Sequence, residues 1–481
     1  MKIINNTFKY FVLVAVILSL LVVQSCSQEL DINRDPNNPT DVPINTLLTS
    51  SQVNTGYIIG GDATRMPASI VQYYSGHRGQ PLDYSRYNIT SSSADGLWRN
   101  AYDALMDLKE IQNKGTESGD RIYVGISQIL QAYVFSVITD LFGDIPFSMA
   151  LLGAENITPT YDRQETIYPV LIRTIEDGIV NVGSLTGNRP GTDDVIYNGN
   201  TDSWIRFANS LKLRLLNHLS KREPGAASAF LVTNPALIEV STANAAVRFG
   251  TVASNANPIY QFDVLSGRKD NAIASTIVDK MRLLNDPRID VYFTRVVNNG
   301  AGFQGQYRGN TPGEDTDDSG ENLFSRVGSA YASTDSPVVL MSAAEVNFIK
   351  SEIYFRANDM ARSKASFDIA IAQDFSALGL SDRLPAYIAD SRVAYNNSLE
   401  RIMEQKWITM FQGAYESWVD WRRTGFPVFT IMPSFNMTGN IIPRRLSYPQ
   451  IEINVNTSSL QNGPGIPIPF ESLKERVWWD Q

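Results

Sequence analysis

The stretch SEIYFRANDMARSKASFDIA, residues 351–370, decides the fold. Small side chains stand at Ser351, Ser363 and Ala370, and aromatic rings at Tyr354 and Phe367. Residues three or four apart share one face of a helix. Ser351 and Tyr354 therefore line one helix, and Ser363, Phe367 and Ala370 line the next. Asn358 and Asp359 between them suit a turn. Small residues let two antiparallel helices approach, and the rings fill the space between them.

These positions match the small and aromatic sites of a tetratricopeptide repeat. Helical periodicity continues outward on both sides. SADGLWRNAYDALMDLKEIQNKG (93–115) spaces Trp98, Tyr102, Leu105, Leu108 and Ile111 by three or four, with Ser93 or Asp95 to cap it and Gly115 to end it. DRIYVGISQILQAYVFSVITDLFGDIP (120–146) stops at Gly143 and Pro146. Further helices are predicted over 163–185, 202–222, 341–359, 360–375 and 398–425. Alternation of period two is scarce. The fold class is therefore mainly α, with tetratricopeptide-like helix pairs, little β and long irregular loops near 225–270, 296–337 and 425–481. No clean 34-residue period extends beyond the one pair, so other repeats are divergent or interrupted by loops.

The chain has 481 residues, enough for one large domain or two to three ordinary ones, and a formal net charge of -9. That charge, with no Lys/Arg-rich block, excludes nucleic acid as the main partner. There are two histidines, His77 and His218, and one cysteine, Cys26. A zinc site would need carboxylates for most of its ligands. His218 lies in a strongly periodic segment and reads as a structural helix residue.

Lys2 and Lys9 precede the apolar run FVLVAVILSLLVV (11–23). This is the pattern of a secretory signal, too short to span a membrane, which takes about 20 apolar residues. Ser25 is a small residue at a cleavage position, and Cys26 follows. The segment VQSC resembles the lipobox of a bacterial lipoprotein, which implies cleavage before Cys26 and its lipidation. The alternative is plain signal cleavage with a leftover thiol. Residues 1–25 then form a lipoprotein signal peptide and 26–42, rich in Asp, Asn and Pro, an extended tether. A single domain occupies 43–481. No second apolar segment of about 18 residues is evident.

Several segments together resemble the SusD/RagB-type outer-membrane lipoproteins. They are LDINRDPNNPT (30–40), TDLFGDIPFSMAL (139–151), PTYDRQETIY (159–168), NSLKLRL (209–215), NDPRIDVYF (285–293), AAEVNFIKSEIYFR (343–356), QKWITMFQGAYESWVDWRRTGFP (405–427) and IPRRLSYPQIEIN (442–454). The resemblance implies a superhelix of tetratricopeptide-like helix pairs decorated by loops. It also implies a surface-exposed lipoprotein of the outer membrane that caps a SusC-like TonB-dependent transporter. Its ligand would be an oligosaccharide or, in some branches, a peptide, with no catalysis and no obligatory cofactor.

Sugar sites combine aromatic faces with hydrogen-bonding side chains. QYYSGHRGQPLDYSRY (72–87) supplies Tyr73, Tyr74, Tyr84 and Tyr87 among Gly and Pro breakers, with His77, Arg78 and Arg86 as donors. Trp98 and Asn100 follow at the start of the next helix. GFQGQYRGNTPG (302–313) offers Phe303, Tyr307 and Arg308, and Tyr331 lies beyond it. The competing reading makes Tyr73, Tyr74 and Trp98 interhelical core. On the binding reading, Trp98→Ala with Tyr74→Ala weakens ligand binding without unfolding the protein. Trp407, Phe411, Tyr415 and Trp418 fall on one helix face and read as core; Arg422 and Arg423 read as caps or partners of acids. DTDDSGE (315–321) places Asp315, Asp317 and Ser319 as in a calcium loop, but Arg326 stands where the bidentate Glu belongs. A solvated acidic loop is the alternative; some members of the resembled family hold calcium. A surface glycoside hydrolase or a protein-binding scaffold are the rival functions. No nucleophile, zinc or nucleotide motif supports an enzyme.

Overall fold

The computed structural model describes residues 42–297, 302–316 and 323–481. Its longer helices are α1 (Ile44–Gly60), α2 (Asp62–Ile70), α3 (Asp95–Ser118), α4 (Arg121–Phe142), α5 (Gln164–Gly183) and α6 (Thr201–His218). They continue with α7 (Ser275–Leu283), α8 (Ala343–Arg356), α9 (Met360–Ala377), α10 (Leu399–Thr409) and α11 (Ala414–Thr424). Strands β1 (Ile145–Pro146) and β2 (Tyr161–Asp162) pair antiparallel, as do β3 (Ala245–Val247) and β4 (Val338–Met341). The molecule is mainly α, of the tetratricopeptide-like class. The three regions read as loops carry short helices, including Ala226–Val232, Gln450–Val455 and Thr457–Asn462.

Four helices start at side-chain caps, whereas α3 does not: its N-cap is Ala94, and neither Ser93 nor Asp95 caps it as the sequence suggests. Asn200, Ser342, Asp359 and Ser398 each accept a first-turn amide, from Ser203, Glu345, Arg362 and Arg401 respectively. Gly119 and Gly425, both left-handed, end α3 and α11. Gly115 does not end α3 as the sequence suggests. It lies buried within the helix, where a Cβ would come 2.8 Å from Val124.

α8 and α9 form the expected hairpin. Ser351 Oγ donates to Ser363 O at 2.9 Å, and Ser363 Oγ donates back to Ser351 O at 2.8 Å. Phe348 and Phe367 meet edge-on beside this contact, and Asn358 turns the chain with positive φ. Elsewhere α3 packs on α1 and α4, and α4 on α5. The α4–α5 approach depends on two facing glycines. A Cβ on Gly125 would fall 2.6 Å from Gly178 O, and one on Gly178 would fall 2.8 Å from Ile129.

α4 is 22 residues long with a mean hydropathy of 1.5 over its most apolar window, long and apolar enough to cross a membrane. The sequence does therefore hold a second such segment. Because 89 % of that window is buried, it serves as the central core helix.

Trp407, Phe411, Tyr415 and Trp418 are core, as expected, but not on one helix: α10 carries Trp407, α11 carries Tyr415 and Trp418, and Phe411 lies in the break at 410–413. Beside them runs a buried ion network. Arg214 is bidentate to Glu345 at 2.6 and 2.7 Å. His218 lies between Glu416 at 2.9 Å and Asp140 at 3.3 Å. Arg423 grips Glu352 and Asp420, and Arg422 donates to the Asp140 and Arg444 carbonyls. Each buried charge thus has partners, which is what keeps it tolerable out of water.

Candidate functional site

Four remote loops are knit into one face. Tyr74 bridges to Ile273, and Ala274 to Asn310. Ser75 N donates to Ala272 O at 2.8 Å, and Ile273 N to Ser325 O at 3.1 Å. The buried Asn310 amide donates to Glu314 O at 3.0 Å and lies 3.3 Å from Gly76 O. His77 contacts Lys269 O at 2.6 Å and Thr316 O at 3.1 Å through its two ring nitrogens. The 431–441 segment closes over them: Ser434 N donates to Pro312 O and Met437 N to Arg86 O. The two loops singled out in the sequence are therefore neighbours.

Most of the predicted rings are not available on that face. Tyr73 is fully buried, stacked on Trp407 at 5.2 Å, with its hydroxyl donating to Trp407 O and 2.7 Å from Ser417 Oγ. Tyr74 packs edge-on to Phe411. Tyr84 and Tyr87 are buried; desolvation pushes the Tyr84 phenol up to about 12, and Tyr87 is raised too. Trp98 packs among Tyr102, Phe142 and Tyr448, away from the loop face. His77 is likewise buried. Apolar area is worth more inside than on a sugar platform, so the core reading of Tyr73, Tyr74 and Trp98 replaces the binding one. It extends to Tyr84 and Tyr87.

The polar candidates fare differently. Arg78 and Asn100 are exposed, Asn100 on α3 beside Trp98. Tyr307 is half-buried; its hydroxyl donates to Asp290, and the Arg295 guanidinium lies 4.4 Å from its ring. Burial, and then the Asp290 carboxylate, raise its phenol pKa. The Arg308 guanidinium sits 4.2 Å from the Phe303 ring and 4.8 Å from Phe324, and Phe324 lies 5.6 Å from the His77 ring. Arg308 and His77 thus meet through one aromatic side chain. Tyr331 is half-buried against Tyr292 and lines a separate cleft of about 580 Å³ with Arg248, Gln373 and Gln412.

One ring was missed by sequence reasoning. Phe435 is 78 % exposed and in the left-handed region, with the Arg86 guanidinium 5.2 Å from its ring. Met437 beside it is also exposed. The available signal was a lone aromatic among turn formers in PSFNMTGN (433–440). Among the described residues no group of three or more His, Cys, Asp or Glu is placed to hold a metal. Asp315 is exposed, while Asp317, Ser319 and the lipidation candidate Cys26 lie outside the described residues.

The SusD-like family profile, described as starch-binding and associating with the outer membrane, matches residues 36–449. No curated protein matches. Among solved structures, a SusD homologue from Bacteroides uniformis is 24 % identical, with TM-score 0.77, covering 90 % of this chain and 99 % of its own. A chitin-binding SusD homologue from Flavobacterium johnsoniae is 23 % identical, with TM-score 0.77, covering 91 % of this chain and 97 % of its own. A SusD/RagB family protein from Bacteroides thetaiotaomicron is 21 % identical, with TM-score 0.77, covering 92 % of this chain and 99 % of its own. At these identities the structures speak for the fold, and the profile speaks for descent: the chain belongs to the SusD-like, outer-membrane-associated family.

Proposed function

We propose that this protein is a non-catalytic nutrient-binding lipoprotein of the cell surface. It captures oligosaccharides, or peptides, and hands them to a SusC-like TonB-dependent transporter. Membership in a family described as starch-binding supports the ligand class, and one structural relative is named for binding chitin. The observation that carries the site is Phe435. A ring 78 % exposed contributes little to folding, and with Arg86 beneath it offers a sugar an apolar face and a donor. Arg78 and Arg308 supply further donors on the loops joined to it. Cys26 carries the lipid, and residues 26–42 are the tether that lets the body reach its transporter.

The cleft at Tyr331 is the second reading, because about 580 Å³ is within the size range of small-ligand sites. A glycan and peptide array on the mature chain tests both. Phe435→Ala is expected to weaken binding of the ligand so found roughly 3- to 10-fold, about 0.5–1.5 kcal/mol, with an unchanged melting temperature. Unchanged binding there with loss in Tyr331→Ala moves the site to the cleft. Release of shortened glycan products would overturn the non-catalytic reading. In the same expression host, Cys26→Ala should shift the protein from the membrane fraction to the soluble one.

A further inference from the structure

A second concavity, of about 310 Å³, opens at the N-terminus of α5 and shares no lining residue with the loop face or the Tyr331 cleft. Arg163, Arg445 and Arg476 line it, with Tyr448 and Trp478. Arg445 is only 7 % exposed. Its Nε donates to Leu446 O at 3.2 Å and its Nη1 to the half-exposed Glu475 at 3.3 Å. Its Nη2 is buried and finds no acceptor among the described residues. The guanidinium lies 4.3 Å over the Tyr448 ring, a contact with its face that leaves the Nη2 donor unmade, and a buried charged donor left unmade is destabilising, so it is short of an acceptor.

The surroundings share that shortage. α5 is 20 residues long, and its N-terminus adds partial positive charge. Asp144 accepts the Gln164 amide at 2.9 Å, whereas the exposed side chain of Arg163, the N-cap residue, makes no capping bond. Behind the wall a single carboxylate, Asp480, serves Lys221 at 3.1 Å, Arg444 at 3.1 Å and Arg476 at 3.3 Å. One anion cannot neutralise three cations. The other side-chain carboxylates present are Asp144, Glu165 and Glu475, and Arg222 lies over Trp478. Among side chains, cations exceed carboxylates here although the whole chain carries -9.

We infer that this pocket is an oxyanion site that takes a phosphate or sulfate group, either as the free ion or borne on a saccharide. Guanidinium forks match the geometry of such groups. Half-buried Trp478 offers an apolar face to whatever carries the anion. The inference does not rest on the glycan reading of the loop face.

The test is titration of the full mature chain with inorganic phosphate, sulfate, glucose 6-phosphate and glucose, followed by calorimetry. Saturable binding of the anions, but not of glucose, is expected. Arg163→Gln and Arg476→Gln, both changes at exposed side chains, should each weaken it at least fivefold while the melting temperature holds. Phe435→Ala should leave it unchanged. Arg445→Gln is expected to abolish binding, but the two surface variants decide the matter where that buried change unfolds the chain. Tighter binding of glucose 6-phosphate than of phosphate assigns the group to a saccharide, and equal binding assigns it to the free ion. No saturable binding of any anion, or equal binding in Arg163→Gln and Arg476→Gln, overturns the proposal.

Discussion

His218 is held as a cation in the middle of the protein. Burial opposes its charge, but Glu416 and Asp140 outweigh that and raise its pKa to about 9. Tyr168 and Trp479 close the remaining sides. A folded pKa above the unfolded value of about 6.5 stabilises the fold fully below that value. This contribution is lost as pH rises through about 9. The melting temperature should therefore fall between pH 7 and pH 9.5, and the fall should be shallower in His218→Gln. That variant should itself lose about 3–5 kcal/mol near pH 6.5, because it leaves two carboxylates short of a partner. A flat profile in the parent protein would sink this account. Trp98 and Tyr74 give a second residue-scale prediction. Both are core, so Trp98→Ala alone should cost about 3–5 kcal/mol of stability, and the double variant should fail to fold at moderate temperature. Circular dichroism on heating checks this. The sequence does not separate such rings from a binding platform, because Gly and Pro breakers place them in a loop while saying nothing of what covers the loop. Trp407, acting from 334 positions away through the Tyr73 hydroxyl, supplies that cover.

At the scale of elements, the α8–α9 hairpin was legible because every determinant is local. Ser351, Ser363 and Phe367 meet across a turn formed by the residues between them. The α4–α5 contact was not, since Gly125 and Gly178 carry no periodic signal and matter only once the helices face each other. Gly178→Ala should cost roughly 1–3 kcal/mol by overpacking against Ile129 and the Gly125 carbonyl. Gly183→Ala, in the same helix with open space around it, should be neutral or slightly stabilising. Equal melting temperatures for the two variants would contradict the close approach. The helix break at 410–413 was also hidden, because Gln412 and Gly413 sit inside an unbroken aromatic stripe.

For the whole molecule, family membership was legible from many weak segments in order, whereas the loop face was not. The face is assembled from segments near 72–87, 268–276, 303–316, 323–326 and 431–441, joined by single bridges and by Asn310. Among the described residues, its one exposed ring comes from the last of these. The buried helix α4 has a further consequence on the proposed export route. On that route the chain would cross the inner membrane unfolded, and its 22-residue apolar segment would favour release sideways from the translocation channel into lipid. Gln128 and Gln131, only partly covered in the folded protein, are polar residues near the middle of that segment and would lower its affinity for the bilayer. Gln128→Leu with Gln131→Leu should leave a share of the newly made protein stranded in the inner membrane, detectable by fractionation. The helix that anchors the core of the folded protein would thus be the segment most exposed to mis-sorting during the proposed export.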